Sequence, residues 1–338
     1  FELHMNIIRG VEERYQTPFF TALRNYSKQP TGVFHALPIS RGKSITKSHW
    51  IQDMGEFYGM NIFLAETSAT SGGLDSLLEP VGPIKKAQEL ASRAFGSRHT
   101  FFATNGTSTC NKIVVQALVK PGDIVLVDRD CHKSHHYGMV LSGAHVIYLD
   151  SYPLHEYSMY GAVPLSSIKR TLLQLREEGK LDRVRMLLLT NCTFDGIVYN
   201  VERFMEECLA IKPDLVFLWD EAWFAYGRFS PSLRRRTAMD AAGRLRREFH
   251  SVESRGNGDG RTDADAVRIR VYSTQSTHKT LTSLRQGSMI HVYDEDFEQK
   301  ASDSFHEAFM THPATSPNTH LNAPLDPGRG PVRPDGCH

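Results

Sequence analysis

The sequence holds no apolar run approaching the length of a membrane span, so no helix crossing a bilayer is expected from it. Its first stretch, FELHMNIIRGVEERY, lacks the apolar core of a secretory leader. An excess of one charge is missing too. The 39 basic and 38 acidic side chains leave a net charge of +1, which excludes a general attraction to nucleic acid or to a membrane surface. The cysteines (Cys110, Cys131, Cys192, Cys208 and Cys337) are an odd set without a CxxC pair. They fit a reducing, cytoplasmic setting better than a disulfide framework or a zinc site, and no metal is expected. The phosphate-binding patterns GxxxxGKS/T and GxGxxG are absent, as is the GxSxG turn of hydrolases. The chain opens on Phe1 rather than Met and reads as a fragment or a trimmed chain.

What is present has an ordinary globular balance, 338 residues at 40% hydrophobic and 23% charged. That is enough to bury a substantial core in one large domain or two smaller ones. From about residue 83 two patterns alternate. IKKAQELASRAFG carries Ile84, Ala87, Leu90, Ala91 and Phe95 at helical spacing. HTFFAT follows as a strand, TSTCNKIVVQALV as a helix, DIVLVD as a strand, and SHHYGMVLSG as a helix closed by Gly143. The alternation continues through HVIYLD, PLSSIKRTLLQLREEG, VRMLLLT, VERFMEECLAIK and DLVFLWD. Strands apolar on both faces and interleaved with helices predict a parallel sheet covered on both sides.

Residues 232–266 break the alternation. They read as an insertion, in which a basic helix with Met239, Ala242, Leu245 and Phe249 on one face leads into a Gly-rich, charged, mobile loop. Arg234 to Arg236 read as solvated surface. Residues 1–80 are less regular, with loops expected at HALPISRGKS and SATSGGLDSLLEPVGP. The last stretch, NAPLDPGRGPVRPDGCH, is rich in proline and glycine and is expected to be poorly ordered.

Ligands of open parallel sheets bind beyond the carboxyl ends of the strands, and five strand ends here carry reactive groups. They are Thr104–Ser108, Asp128–His132, Thr190–Gly196, Asp220–Trp223 and Ser273–Lys279. Gly106, Thr107 and Ser108 open a helix, where free N–H groups and hydroxyls suit a phosphate or serve as a plain cap. Asp220 ends an apolar strand, and a buried carboxylate needs a cation such as a protonated ring nitrogen, an arginine, or a helix end. His132 can stack on a flat ring or cap the next helix. Lys279 is either solvated loop or, if desolvated, an amine nucleophile. Phosphate cup, ring-nitrogen carboxylate, stacking imidazole and amine are together the parts that pyridoxal phosphate requires.

The stretch STQSTHKTLTSLRQGSMIHV resembles the lysine signature of the bacterial ornithine/lysine/arginine decarboxylases, which are fold-type I pyridoxal-phosphate enzymes. GLDSLLEPVGPIKKAQELASRAFGS, TNGTSTCNKIVVQALVKPGD, DRDCHKSHHYG, TNCTFDGIVYN and WDEAWFAYGRF are similar to further family segments, in order, over about residues 73–317. The resemblance implies an α/β three-layer sandwich with a mostly parallel central sheet, like the major domain of aspartate aminotransferase. It implies pyridoxal 5'-phosphate as cofactor and decarboxylation of arginine, lysine or ornithine to an amine and carbon dioxide, a carboxy-lyase reaction that yields polyamine precursors.

Residue by residue, the resemblance makes Lys279 the amine that joins the cofactor aldehyde, and Asp220 the partner of the pyridine nitrogen. Trp223 shapes the pocket beside it, and His132 stacks on the ring. Gly106, Thr107, Ser108, Ser276 and His278 bind the phosphate or lie against it, and Lys279 or His278 returns a proton to the substrate carbon. Thr193 is a lesser candidate for the pocket wall, and Thr315 and Ser316 for contact with a partner subunit's site. The partners implied are a small amino-acid substrate and further copies of the chain, as a homodimer or larger ring with the site near the interface.

The resulting division is an N-terminal arm and linker over 1–72, a cofactor-binding major domain over 73–317 with the insertion at about 232–266, and a tail over 318–338. FHALPISRGKS lacks the Gly-His of the family's arm segment, and the family continues into C-terminal domains where this tail ceases to resemble it. Two other readings stay open. One is a different fold-type I reaction, such as an aminotransferase; the other is a truncated, inactive homologue acting as an assembly or regulatory partner. The choice among the three basic amino acids is not legible.

Overall fold

Strands dominated by consecutive apolar residues, VRMLLLT and VFLWD, lie in the middle of the sheet. The computed structural model describes residues 2–34, 37–49, 51–70, 72–253 and 267–330. Its strands are β1 (His99–Ala103), β2 (Ile124–Asp128), β3 (His145–Leu149), β4 (Pro153–Leu154), β5 (Met159–Tyr160), β6 (Val184–Thr190), β7 (Val216–Asp220), β8 (Arg270–Ser276) and β9 (Ser288–Asp294). Seven of them make one sheet in the order β1-β9-β8-β7-β6-β2-β3, and β4 pairs with β5 as a separate hairpin. From β8 to β3 every pairing is parallel, while β9 runs antiparallel to both β8 and β1.

Helices α1 (Glu2–Tyr15), α2 (Pro18–Lys28), α3 (Lys43–Thr46), α4 (Gln52–Tyr58) and α5 (Met60–Ala65) precede the sheet. Then come α6 (Pro83–Phe95), α7 (Thr107–Leu118), α8 (Lys133–Ser142), α9 (Leu165–Glu177), α10 (Val201–Leu209) and α11 (Ala238–Glu253). The chain ends with α12 (Thr277–Thr280), α13 (Ser302–Thr311), α14 (Thr319–Asn322) and α15 (Leu325–Gly328).

Successive residues of a strand point to opposite faces, and the two faces carry separate cores. Met186 and Leu188 of β6, with Val216 and Leu218 of β7, pack with Ile113, Val114, Met139 and Phe305 from α7, α8 and α13. Leu187 and Leu189, with Phe217 and Trp219, pack with Leu172, Met205 and Leu245 from α9, α10 and α11. Burying one such side chain is worth about 1.5–3 kcal/mol, which is why Met186–Leu189 of β6 and Val216–Trp219 of β7 are apolar throughout. The result is the three-layer α/β sandwich expected from the alternation.

The structure differs from the sequence reading in four places. Residues 238–253, read as part of an insertion, form the crossover helix between parallel strands β7 and β8. Ala238, Met239, Ala241, Ala242 and Leu245 are buried in the core with Trp219 and Val271. A basic outer face hid this, because a helix needs only one apolar stripe to pack. The loop expected after it lies at 254–266, outside the described residues.

Part of the stretch read as arm and linker joins the core: Phe19 and Leu23 of α2 pack with Ile84, Ala91 and Phe95 of α6. The expected loose tail takes a different form over 319–328, as α14 and α15. There Leu325 and Asp326 are fully buried, and the Asp326 carboxylate accepts from Phe19 N (2.8 Å) and Phe20 N (3.2 Å). Those two bonds cap α2, a long-range partnership that no local pattern carries. Residues 331–338 lie outside the described residues. Last, Ser273–Ser276, placed beyond a strand end by the sequence pattern, continue β8 as buried strand. Their polar side chains find partners on either face.

Candidate functional site

Strand parity decides what the end of β7 presents. Asp220 follows Val216 and Leu218 onto the α7–α8 face, and Glu221 takes the α11 face. Asp220 is 3% exposed and Glu221 fully buried. Asp220 Oδ2 accepts from His135 Nε2 (2.8 Å) and Asn111 Nδ2 (3.0 Å), and Oδ1 accepts from Ala222 N (3.0 Å). Burial pushes this carboxyl up, but the bond and charge of His135 and the other donors outweigh it and hold it below the ordinary range. Asp220 is therefore a carboxylate, aimed at the same end of the sheet as α7, α8 and α12.

β8 repeats the parity. Thr274 Oγ1 donates to Asn111 Oδ1 (2.6 Å), and Ser276 Oγ lies 2.6 Å from Thr107 Oγ1. Thr107 Oγ1 also lies 3.1 Å from Ser288 Oγ, so three buried hydroxyls meet at the N-terminus of α7. Gly106 is the N-cap there, at φ +78°, and no side chain caps this helix. Thr107 and Ser108 are thus not a plain cap, and Ser108 is exposed on the first turn. A β-carbon at Gly106 would meet nothing within 4 Å, so the space beside the helix end is open.

His132 does cap its helix: Nδ1 accepts from Ser134 N (3.2 Å) and lies 2.9 Å from Ser134 Oγ. The ring is partly exposed, and burial lowers its basicity against the opposing charge of Asp220. The capping contacts use only the Nδ1 edge of the ring, so capping and stacking do not compete for the same atoms.

Lys279 sits on the one-turn helix α12 directly after β8. Its Nζ lies 4.5 Å from the centre of the Trp223 ring. Burial lowers its basicity, while the charge of Asp220 acts to raise it. Trp223 is 39% exposed and has Phe194 edge-on at 5.9 Å. His278 Nδ1 donates to Gly287 O (2.9 Å), leaving Nε2 as its second group. Thr193 holds a tight turn by accepting from Ile197 N through Oγ1 (3.1 Å). Thr315 and Ser316 are exposed before α14, beside a cavity of about 60 Å³ that Asp75 and Asn322 also line.

The expected residues thus converge on one end of the sheet, except for Thr315 and Ser316. Asn111, His135 and Ser288 were not singled out by sequence. Helical spacing could have found Asn111, which lies one turn after Thr107 on α7. A larger cavity of about 670 Å³, lined by Tyr15, Leu90, Arg93, Phe229 and Pro327 among others, lies elsewhere and holds none of these groups. Chemically, the site brings together an ionised carboxylate, a partly desolvated amine, a hydroxyl-lined helix N-terminus and an aromatic wall.

The family profile "Orn/Lys/Arg decarboxylase, major domain" matches residues 17–331. Lysine decarboxylase LdcA of Pseudomonas aeruginosa is 34% identical over 315 residues, covering 91% of this chain and 39% of that protein. The biodegradative arginine decarboxylase of Escherichia coli is 31% identical over 307 residues, covering 89% of this chain and 38% of that protein. Among solved structures, the Francisella novicida lysine decarboxylase LdcF superposes with a TM-score of 0.76 at 29% identity, over 97% of this chain and 42% of that one. A Sphingomonas wittichii serine palmitoyltransferase, at 16% identity and a TM-score of 0.52 over 88% of this chain and 58% of that one, shares the fold alone. The chain spans about two fifths of the length of the curated relatives it matches.

Proposed function

The chain belongs to the Orn/Lys/Arg decarboxylase family, and from that premise we propose that its site holds pyridoxal 5'-phosphate and decarboxylates arginine, lysine or ornithine to the amine and carbon dioxide. The observation that carries this reading is the Lys279 amine, set 4.5 Å from the Trp223 ring and made less basic by burial, which outweighs the opposing charge of Asp220. Such an amine is unprotonated more often at neutral pH than a solvated lysine, as condensation with an aldehyde requires. The cofactor, when bound, supplies an electron sink for the carbon that carbon dioxide leaves.

The residues fit that group. The open Gly106 turn and the Thr107, Ser108 and Ser276 hydroxyls suit a phosphate at the positive end of α7. His278 lies next to them in sequence and joins them as a phosphate contact. Asp220 is surrounded by donors only, so it keeps a negative charge that can bind the proton on a pyridine nitrogen. His132 offers a ring face for stacking, and Trp223 walls the pocket beside Lys279. Lys279 Nζ or His278 Nε2 returns the proton to the substrate α-carbon. Thr193 belongs to the outer wall.

Each turnover takes up a proton and yields a polyamine precursor. The reading includes a reducing, cytoplasmic setting, supported by free Cys110, Cys131, Cys192 and Cys208. It also includes a homodimer or larger homo-oligomer, with Thr315 and Ser316 near a neighbour's site. Sedimentation velocity tests that part: a monomer at all concentrations removes it.

The experiment for the activity is an absorbance spectrum with added pyridoxal 5'-phosphate, beside Lys279→Ala. A band near the visible edge that the substitution abolishes supports the site. Carbon dioxide release from arginine, lysine and ornithine then identifies the substrate. A band without release from any of the three points to a different reaction on the same cofactor. No band in either protein removes the reading and leaves an inactive partner of a related enzyme.

A further inference from the structure

One fully buried histidine stands behind the site without a role in the scheme above. His135 lies on the first turn of α8, with Nε2 at 2.8 Å from Asp220 Oδ2. Asp220 offers only acceptors, so Nε2 carries the proton and donates. The other nitrogen, Nδ1, is buried with no hydrogen-bond partner among the described residues. An unpaired buried polar atom costs free energy. An aliphatic side chain would fill the same space without that cost, so packing alone does not account for an imidazole here. The Nε2 bond to a buried charge is the contribution that offsets it.

The surroundings fix the ring rather than merely admit it. A β-carbon on Gly138 would meet Val115 Cβ at 3.3 Å and Lys112 Cα at 3.5 Å. The glycine therefore lets α8 approach α7 closely, one turn beyond His135, and brings the ring under the end of β7. Asn111 supplies the second donor to the same carboxylate oxygen (3.0 Å). Its amide is oriented by Thr274, whose hydroxyl donates to Oδ1. Asn111 Nδ2 also reaches Ser134 Oγ (3.0 Å), which lies 2.9 Å from His132 Nδ1. One polar chain thus ties Asp220, assigned to the ring nitrogen, to His132, assigned to the ring face.

We propose that His135 is a positioning residue, which holds the Asp220 carboxylate ionised and correctly turned through its Nε2–H and so sets how tightly the site binds the pyridine ring of the cofactor. The inference rests on the reading above, because it needs a ring nitrogen for Asp220 to meet. The effect travels through Asp220; His135 itself touches neither cofactor nor substrate.

Glutamine and asparagine separate this role from packing. A glutamine amide nitrogen extends about as far as Nε2, whereas an asparagine nitrogen stops near the position of Nδ1. The measurement is the dissociation constant of pyridoxal 5'-phosphate, from the visible band, for wild type, His135→Leu, His135→Asn and His135→Gln, together with the melting temperature of each protein without cofactor. The expected result is an affinity loss of about ten- to a hundredfold in His135→Leu and His135→Asn, with His135→Gln recovering most of it. The ranking should not follow the melting temperatures. If His135→Leu does not fold, the Asn and Gln pair decides alone. Equal affinities for Asn and Gln, or affinities within about twofold of wild type in His135→Leu, overturn the inference while the cofactor reading stands. No band in wild type overturns both.

Discussion

Asp220 and Glu221 are neighbours in the chain, yet their carboxylates lie on opposite faces of the sheet. Asp220 meets His135 and Asn111 from α8 and α7, while Glu221 accepts from Ala238 N at the start of α11 (2.8 Å) and from Asn191, Ser273 and Gln275. The cause is the two-residue period of β7 continuing past its last pair. It divides the polar groups at the strand ends into a site on one face and a buried network on the other. The network runs on from Gln275 to His291 Nε2 (2.9 Å), and from His291 Nδ1 to Thr100 Oγ1 (2.8 Å).

The first prediction concerns Lys279. Burial lowers its basicity and the Asp220 charge opposes that. Reductive trapping of pyridoxal 5'-phosphate with borohydride at neutral pH, followed by peptide mapping, should label Lys279 ahead of the other lysines. Asp220→Asn removes the opposing charge, so the amine pKa falls further and trapping moves to lower pH. Labelling spread evenly over surface lysines would contradict this.

Glu221 gives a second prediction. Burial raises its pKa to about 7 from an ordinary 4.5. Four donors surround it, and the Ser273 hydroxyl can turn to accept when the acid is neutral. Between pH 4.5 and 7 the unfolded chain loses a proton that the folded protein keeps. Stability from this group is therefore full below 4.5 and lost as pH rises through 7, by up to about 3 kcal/mol. Glu221→Gln should remove this contribution to the fall in urea-denaturation free energy with rising pH.

His291 has the opposite sign. Burial holds it neutral, with a pKa lowered to about 3 from an ordinary 6.5. Below 6.5 the unfolded chain takes up a proton that the folded protein refuses. Stability is present above 6.5 and lost as pH falls towards 3, by up to about 5 kcal/mol. Where the windows overlap, between pH 4.5 and 6.5, the contributions of these two groups cancel. His291→Gln should tilt the pH dependence there towards greater stability at lower pH than wild type shows, because the Glu221 contribution is then unopposed by His291.

The layered fold was legible because Ile124–Val127, Met186–Leu189 and Val216–Trp219 are apolar runs interleaved with amphipathic helices, the pattern of a sheet covered on both faces. The site's outline was legible because its groups stand where such strands stop. His135 was not, since KSHHYG gives no sign of which of two adjacent histidines faces the sheet; His135 is buried and His136 instead lies 3.0 Å from the Tyr148 hydroxyl. α11 was hidden by its arginines. The capping of α2 by Asp326 was hidden because it joins residues about 300 positions apart, and separation of that kind leaves no trace in a local pattern.

That same C-terminal segment supplies the last prediction. α15 packs behind α12, and a β-carbon on Gly328 would meet Thr282 O at 2.5 Å and Thr277 Cγ2 at 3.2 Å. The first of these is backbone, which cannot step aside as a side-chain tip could. Gly328→Ala should therefore push α15 from the turn that carries Lys279, at a cost of about 1–3 kcal/mol. Gly10 lies within α1, where an added β-carbon would meet nothing within 4 Å, so Gly10→Ala should be neutral or stabilising by about 0.5–1 kcal/mol. The comparison separates a general glycine effect from one aimed at the site. Gly328→Ala should weaken pyridoxal 5'-phosphate binding as well as lower the melting temperature, and Gly10→Ala should do neither. If Gly328→Ala loses stability but binds cofactor as wild type does, then α12 holds its place without α15 behind it, and the contact serves the fold alone.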